Sequence, residues 1–123
     1  MGNDYQSGLT SVTGVVQATA SLPVLGTTQT FINVNGAGNG TTQTAYTVTT
    51  GKTFYLYGFQ ESVGYIGVVY KNDGTTIVIT HQQSGTVQMP VVSSVPLAVY
   101  TSAQLVKVNA SNSSTYTLWG VEQ

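Results

Sequence analysis

Short runs of six to ten residues, rich in Val, Thr, Tyr and Ile, recur along the chain between clusters of Gly, Pro, Asn and Asp. They predict strands over residues 9–18, 28–34, 43–49, 53–61, 64–71, 75–82, 86–92, 96–101, 104–109 and 115–122. No window of about 11 residues or more keeps the 3.6-residue apolar period of an amphipathic helix. Some of the runs alternate. In 43–49, Tyr46 and Val48 oppose Ala45 and the threonines, and in 104–109, Val106 and Val108 oppose Lys107 and Asn109. That pattern belongs to strands with one buried and one wet face.

Three runs do not alternate. Residues 54–59 (Phe-Tyr-Leu-Tyr-Gly-Phe), 65–70 (Tyr-Ile-Gly-Val-Val-Tyr) and 116–121 (Tyr-Thr-Leu-Trp-Gly-Val) are apolar or aromatic on both faces. A two-layer sandwich buries one face of each sheet. A second apolar face must meet a neighbouring subunit, be covered by a loop or the N-terminal arm, or stay exposed as a patch. Subunit contact is the economical expectation. Its candidates, equally candidates for stacking on a ligand, are Tyr55, Tyr57, Phe59, Tyr65, Tyr70 and Trp119. Alternation does not say which of them face the core.

The breaks carry turn chemistry. Asn72-Asp73-Gly74 is a hairpin signal, Thr50-Gly51 and Ser84-Gly85 read as turns, and Asn35 to Gly40 reads as a flexible glycine loop. Pro23, Pro90 and Pro96 belong at edges, strand starts or turns, because proline cannot donate to a sheet ladder. There is also an internal echo. Leu56-Tyr57-Gly58-Phe59-Gln60-Glu61 parallels Leu118-Trp119-Gly120-Val121-Glu122-Gln123. Coincidence would explain it, and so would two paired strands in which glycine admits a large ring from across the sheet.

Composition narrows the functional classes. The 123 residues include only seven charged side chains, no arginine and no cysteine, with a net charge of −1. Nucleic-acid binding draws most of its affinity from cations that neutralise phosphates, so no nucleic-acid partner is expected. No apolar run reaches the roughly 18 residues of a spanning helix, and membrane insertion is not expected. The start, Met-Gly-Asn-Asp-Tyr-Gln, has neither a secretory pattern nor the Ser or Thr of a myristoylation motif at Gln6. Eighteen valines and twelve aromatic residues set the chain apart from disordered sequences. The length fits one domain, read as a polar N-terminal arm over 1–8 and a β-sandwich over 9–123.

Candidate chemistry is sparse. His81 is the only histidine, and it continues the Ile77/Ile79 face to a strand end, so a structural role is expected. No Gly-x-Ser-x-Gly elbow accompanies it. Of the acids, Asp73 is explained by its hairpin, while Glu61 and Glu122 end the two echo strands and are expected to be solvated there. No metal-ligand spacing occurs. Thr41 stands where a G-x-G-x-x-G cradle needs its third glycine, so no phosphate-binding cofactor is expected. Eight tyrosines and Trp119, among many Asn, Gln and Thr residues, would suit stacking on sugar rings. Aromatics in cores and interfaces explain the same composition.

The stretch YTVTTGKTFYLYGFQ, residues 46–60, resembles a strand-turn-strand phrase of small virion proteins of phages and archaeal viruses. The ending YTLWGVEQ, residues 116–123, is similar to their apolar terminal strand. The resemblance implies a jelly-roll sandwich of capsid, decoration or tail-associated type. It also implies no enzyme activity and assembly as trimers or higher homo-oligomers with other virion proteins. The sequence thus leads to an all-β antiparallel sandwich of about eight strands, most simply a jelly roll, serving as a structural protein in a virion. The alternative is a carbohydrate- or receptor-binding module at a cell surface or outside the cell.

Overall fold

The computed structural model describes residues 28–82 and 90–123. The expected arm over 1–8, the strand over 9–18, Pro23, the Ser84-Gly85 turn and most of the 86–92 strand lie outside the described residues. Among the described residues nine strands are formed: β1 (Thr30–Ala37), β2 (Thr42–Thr47), β3 (Phe54–Glu61), β4 (Ile66–Tyr70), β5 (Ile77–Gln82), β6 (Val91–Val92), β7 (Ala98–Tyr100), β8 (Leu105–Ala110) and β9 (Thr115–Glu122). There is no helix among the described residues.

The strands form two antiparallel sheets packed face to face, a β-sandwich. The larger runs β1-β9-β3-β6, with β7 also paired to β3, and the smaller runs β2-β8-β4-β5. The pairings nest. β1 meets β9, β2 meets β8, β3 meets β6 and β7, and β4 meets β5. The chain therefore behaves as one long antiparallel ribbon, folded at the β4–β5 hairpin and wound over itself until β9 also reaches β3 and β8 reaches β4.

The core lies between the sheets. Phe54, Leu56, Phe59, Tyr100, Tyr116 and Leu118 from the larger sheet meet Val69, Ile79, Val106, Val108 and Ala110 from the smaller one. The run 104–109 alternates as expected on β8, where Val106 and Val108 are buried while Lys107 and Asn109 are only half-buried, but on β2 a register shift at Ala45 lets Ala45 and Tyr46 both pack against the core. Pro90 and Pro96 sit just before the short strands β6 and β7 at a sheet margin, as proline requires.

Three further expectations are corrected, while the hairpin signal is met. Asn35, Gly36 and Ala37 are strand, not loop, because β1 continues in register with β9 as far as Ala37↔Thr115. Gly36 permits this, since a Cβ there would lie 2.4 Å from the Tyr116 ring. The Asn72-Asp73-Gly74 signal does make the β4–β5 hairpin, but the loop is longer than a two-residue turn and closes between Lys71 N–H and Thr76 O at 2.8 Å. Ile77 leaves the Ile79/His81 face: Val78 is an extra residue in the ladder, so Ile77 turns outward and is exposed. Glu61 and Glu122 are not solvated but buried between the sheets.

Candidate functional site

The outer face of the larger sheet carries the second apolar surface. Ladder partners point to the same side of a sheet, and the inward residues of β9 are Tyr116, Leu118, Gly120 and Glu122. Thr117, Trp119 and Val121 therefore point outward. Following their partners across the strands gives three rows. The first is Phe31–Val121–Tyr55–Val99. The second is Asn33–Trp119–Gly58–Val92. The third is Asn35–Thr117–Gln60, in which the Thr117 hydroxyl donates to Asn35 Oδ1 at 2.7 Å. The face thus grades from apolar through a tryptophan to amides and a hydroxyl, and none of these side chains is charged.

The echo strands build the centre of this face. β3 and β9 are paired neighbours, and each glycine makes room for a ring. A Cβ on Gly58 would lie 2.0 Å from the Trp119 indole, so the indole lies across Gly58. A Cβ on Gly120, on the core side, would meet the Phe54 ring and the Tyr55 carbonyl oxygen. Tyr57 is the extra residue of a β-bulge, because Leu56 pairs with Gly120 and Gly58 with Trp119. The bulge explains an offset within the echo. Glu61 stands five residues after Leu56 and Glu122 four after Leu118, yet both point inward.

The structure brings together three of the six sequence candidates. Trp119 is half-buried on the outer face, Tyr57 is half-buried beside it, and Tyr55 points the same way but retains only 7% of its surface. Burial and the neighbouring Tyr55 raise the Tyr57 hydroxyl above its ordinary value of 10.0. Phe59 is corrected: the bulge turns it into the core, it is fully buried, and it packs against Tyr116. Tyr65 is in the β3–β4 turn, where its N–H donates to Ser62 O, and Tyr70 is on β4 beside Lys107 of the smaller sheet. The most exposed members of the apolar face were not among the candidates. Phe31 is 65% exposed and Val92 64%. Phe31 was findable, since it is out of phase with the inward Ile32 and Val34 of its own strand.

The two buried carboxylates bridge the sheets at opposite ends, because antiparallel pairing sets Glu61 opposite Tyr116 and Glu122 opposite Phe54. Glu61 Oε2 lies 2.9 Å from His81 Nδ1 on β5, beneath Gly67, whose missing side chain leaves room for Phe59 and this carboxylate. Glu122 Oε2 accepts the Tyr46 hydroxyl and the Thr49 N–H, each at 2.8 Å. His81 thus ties β5 to β3, and Tyr46 ties β2 to β9. Each arrangement pairs a buried carboxylate oxygen with a polar group of the facing sheet, as suits a structural role. The chain gave no match to known protein families, to characterised proteins or to solved structures.

Proposed function

We propose that the chain is a non-enzymatic jelly-roll subunit of a viral particle, a capsid, decoration or tail-associated protein, that assembles through the outer face of its larger sheet. The carrying observation is that face: it is uncharged, with Phe31 and Val92 left in solvent beside Tyr57 and Trp119. Apolar surface of this kind gains free energy when it is removed from water, at about 25 cal/mol per Å². The nested pairing supports the jelly-roll reading. With β6 and β7 counted as one strand position, it pairs first with last, second with second-last, and so inward, as in two Greek keys wound together. The viral setting rests on the resemblance of residues 46–60 and 116–123 to small virion proteins.

Light scattering on the full chain across a concentration series tests assembly. A particle several times the 12.9 kDa chain mass is expected. Val92→Asp should shift it towards monomer with little change in melting, since the side chain is largely exposed. A wild-type protein that stays monomeric at millimolar concentration would sink the proposal.

One observation favours a second reading. Trp119 is flanked on the outer face by Asn33, Asn35, Thr117 and Gln60, a ring face beside amides and a hydroxyl, which is how sugar sites are commonly lined. Trp119 is the only tryptophan, so its fluorescence reports directly on this surface. A glycan that quenches or shifts that emission would favour a carbohydrate-binding module. A glycan array without hits would dismiss it.

A further inference from the structure

We propose that two copies of this chain join edge to edge through β1, in an antiparallel pairing about a two-fold axis at Asn33. The inference rests on the assembly reading above and names one of its contacts.

Sheet edges invite pairing, and proteins protect them with bulges, prolines, charges or shortness. Among the described residues, three of the four sheet edges are protected. β2 carries a register shift between Thr44 and Tyr46, and β5 carries one at Val78. The remaining margin of the larger sheet is made of β6 and β7, two and three residues long and preceded by Pro90 and Pro96. β1 has none of these devices. It is eight residues, Thr-Phe-Ile-Asn-Val-Asn-Gly-Ala, without charge or proline, and its ladder with β9 runs unbroken from Thr30 to Ala37. Among the described residues no strand pairs with its other edge.

The hydrogen-bond phase of that edge can be read from its end. Gly38 N–H donates to Ser114 O at 2.9 Å, continuing the β1–β9 register. Antiparallel bonding repeats every second residue, so Thr30, Ile32, Val34 and Gly36 bond to β9. Phe31, Asn33, Asn35 and Ala37 point their N–H and C=O groups away from it. Ala37 agrees, since its carbonyl accepts the Gln43 side chain at 2.7 Å. Phe31, Asn33 and Asn35 are then spaced symmetrically about Asn33.

A second copy fits this edge as it stands. A two-fold axis at Asn33 sets Asn33 against Asn33 of the other copy and Phe31 against Asn35, giving about six backbone hydrogen bonds at two per pair. The same axis sets Ile32 against Val34 of the other copy on the core-facing side. Both residues are only partly buried in one chain, and each would complete the other's burial. No charge opposes the approach, and the two outer faces become one continuous surface.

The test is direct because the chain has no cysteine. Asn33→Cys should form a disulfide-linked dimer on mild oxidation, as directly opposed strand residues lie about 5.5 Å apart between Cα atoms, within disulfide range. Asn109→Cys on β8 serves as the control and should stay unlinked. Asn33→Pro should block the pairing without loss of fold, because the N–H it removes makes no intrachain ladder bond. Single-strand contacts are small, so association is best read from about 10 μM to 1 mM. A wild-type monomer throughout that range would overturn both this inference and the assembly reading. Assembly that survives Asn33→Pro but not Val92→Asp, with no Asn33→Cys cross-link, would overturn the edge contact alone.

Discussion

At the scale of single residues, the charged groups that matter are those the fold holds in hydrogen bonds. Burial alone pushes the Glu122 carboxyl up, but the Thr49 N–H, the Tyr46 hydroxyl and nearby Lys52 outweigh it and hold it below its ordinary 4.5. Asp73, in solvent, is held at about 2 by the Thr76 hydroxyl and the N–H groups of Thr76 and Thr75. For both groups the unfolded chain binds a proton more readily than the folded one. Their stabilisation is therefore complete above their ordinary values of 4.5 and 3.8 and is lost as the pH falls through the lower folded values. Tyr46 acts on the alkaline side. Burial and Glu122 raise its hydroxyl from 10.0 to about 12, so its contribution is complete below 10.0 and declines as pH rises towards 12. Burial likewise raises Tyr100. Urea melts across pH should give a plateau from about 5 to 10, with both limbs falling. Glu122→Gln should cost about 1–2 kcal/mol on the plateau, the margin of a charge-assisted hydrogen bond over a neutral one. The difference should shrink as the pH falls below 4.5 and wild type loses its charge. A constant difference at all pH values would deny the carboxylate this role.

At the scale of elements, the β3–β9 pair makes both the core and the outer face, and its glycines and bulge decide which side chain goes where. Gly120→Ala would press a Cβ to 2.1 Å from the Tyr55 carbonyl oxygen, which is backbone, whereas Gly58→Ala presses on a half-buried indole. The expected order follows. Gly58→Ala should cost about 1–3 kcal/mol with a shifted Trp119 emission, and Gly120→Ala should cost more or prevent folding. The bulge makes a second prediction. Deleting Tyr57 leaves Leu56–Gly120, Gly58–Trp119 and Phe59–Leu118 as successive rungs, so Phe59 and Glu61 stay inward. Deleting Gln60 instead turns Glu61 outward, because a one-residue slip reverses every side chain beyond it. Thermal melts should find the first deletion folded and the second severely destabilised. These phases also mark how far the sequence can be read. Strand positions followed from alternation and turn residues, and β9 falls on the expected 115–122. Alternation could not assign Phe59, Glu61 or Ile77, because one extra residue in β3 and one in β5 invert the count, and nothing local in Tyr57 or Val78 announces it. Glu122 was more accessible, since it shares the phase of Tyr116 and Leu118 in an unbulged strand.

At the scale of the whole molecule, the scarcity of charge becomes a statement about surfaces. Of the seven charged side chains, Glu61 and Glu122 are buried, Lys52, Lys71 and Asp73 sit in turns, and Asp4 lies outside the described residues. Lys107 alone projects from a described strand, and it does so from the smaller sheet. Association through the larger sheet therefore has almost no Coulomb component to screen. Its strength should change by less than about threefold between roughly 50 and 500 mM NaCl, since screening acts only on charges present at the contact. It should rise in ammonium sulfate, which strengthens apolar burial, and weaken on cooling. Titration calorimetry of dissociation at several temperatures should return a negative heat-capacity change for association, the mark of apolar surface leaving water. Edge pairing through β1 adds backbone bonds that salt barely touches, so Asn33→Pro and wild type should share the same shallow salt dependence while differing in affinity. A steep loss of assembly with NaCl would place charge at the contact, and would move the interface away from the outer face and β1 towards the turns that carry Lys52, Lys71 and Asp73.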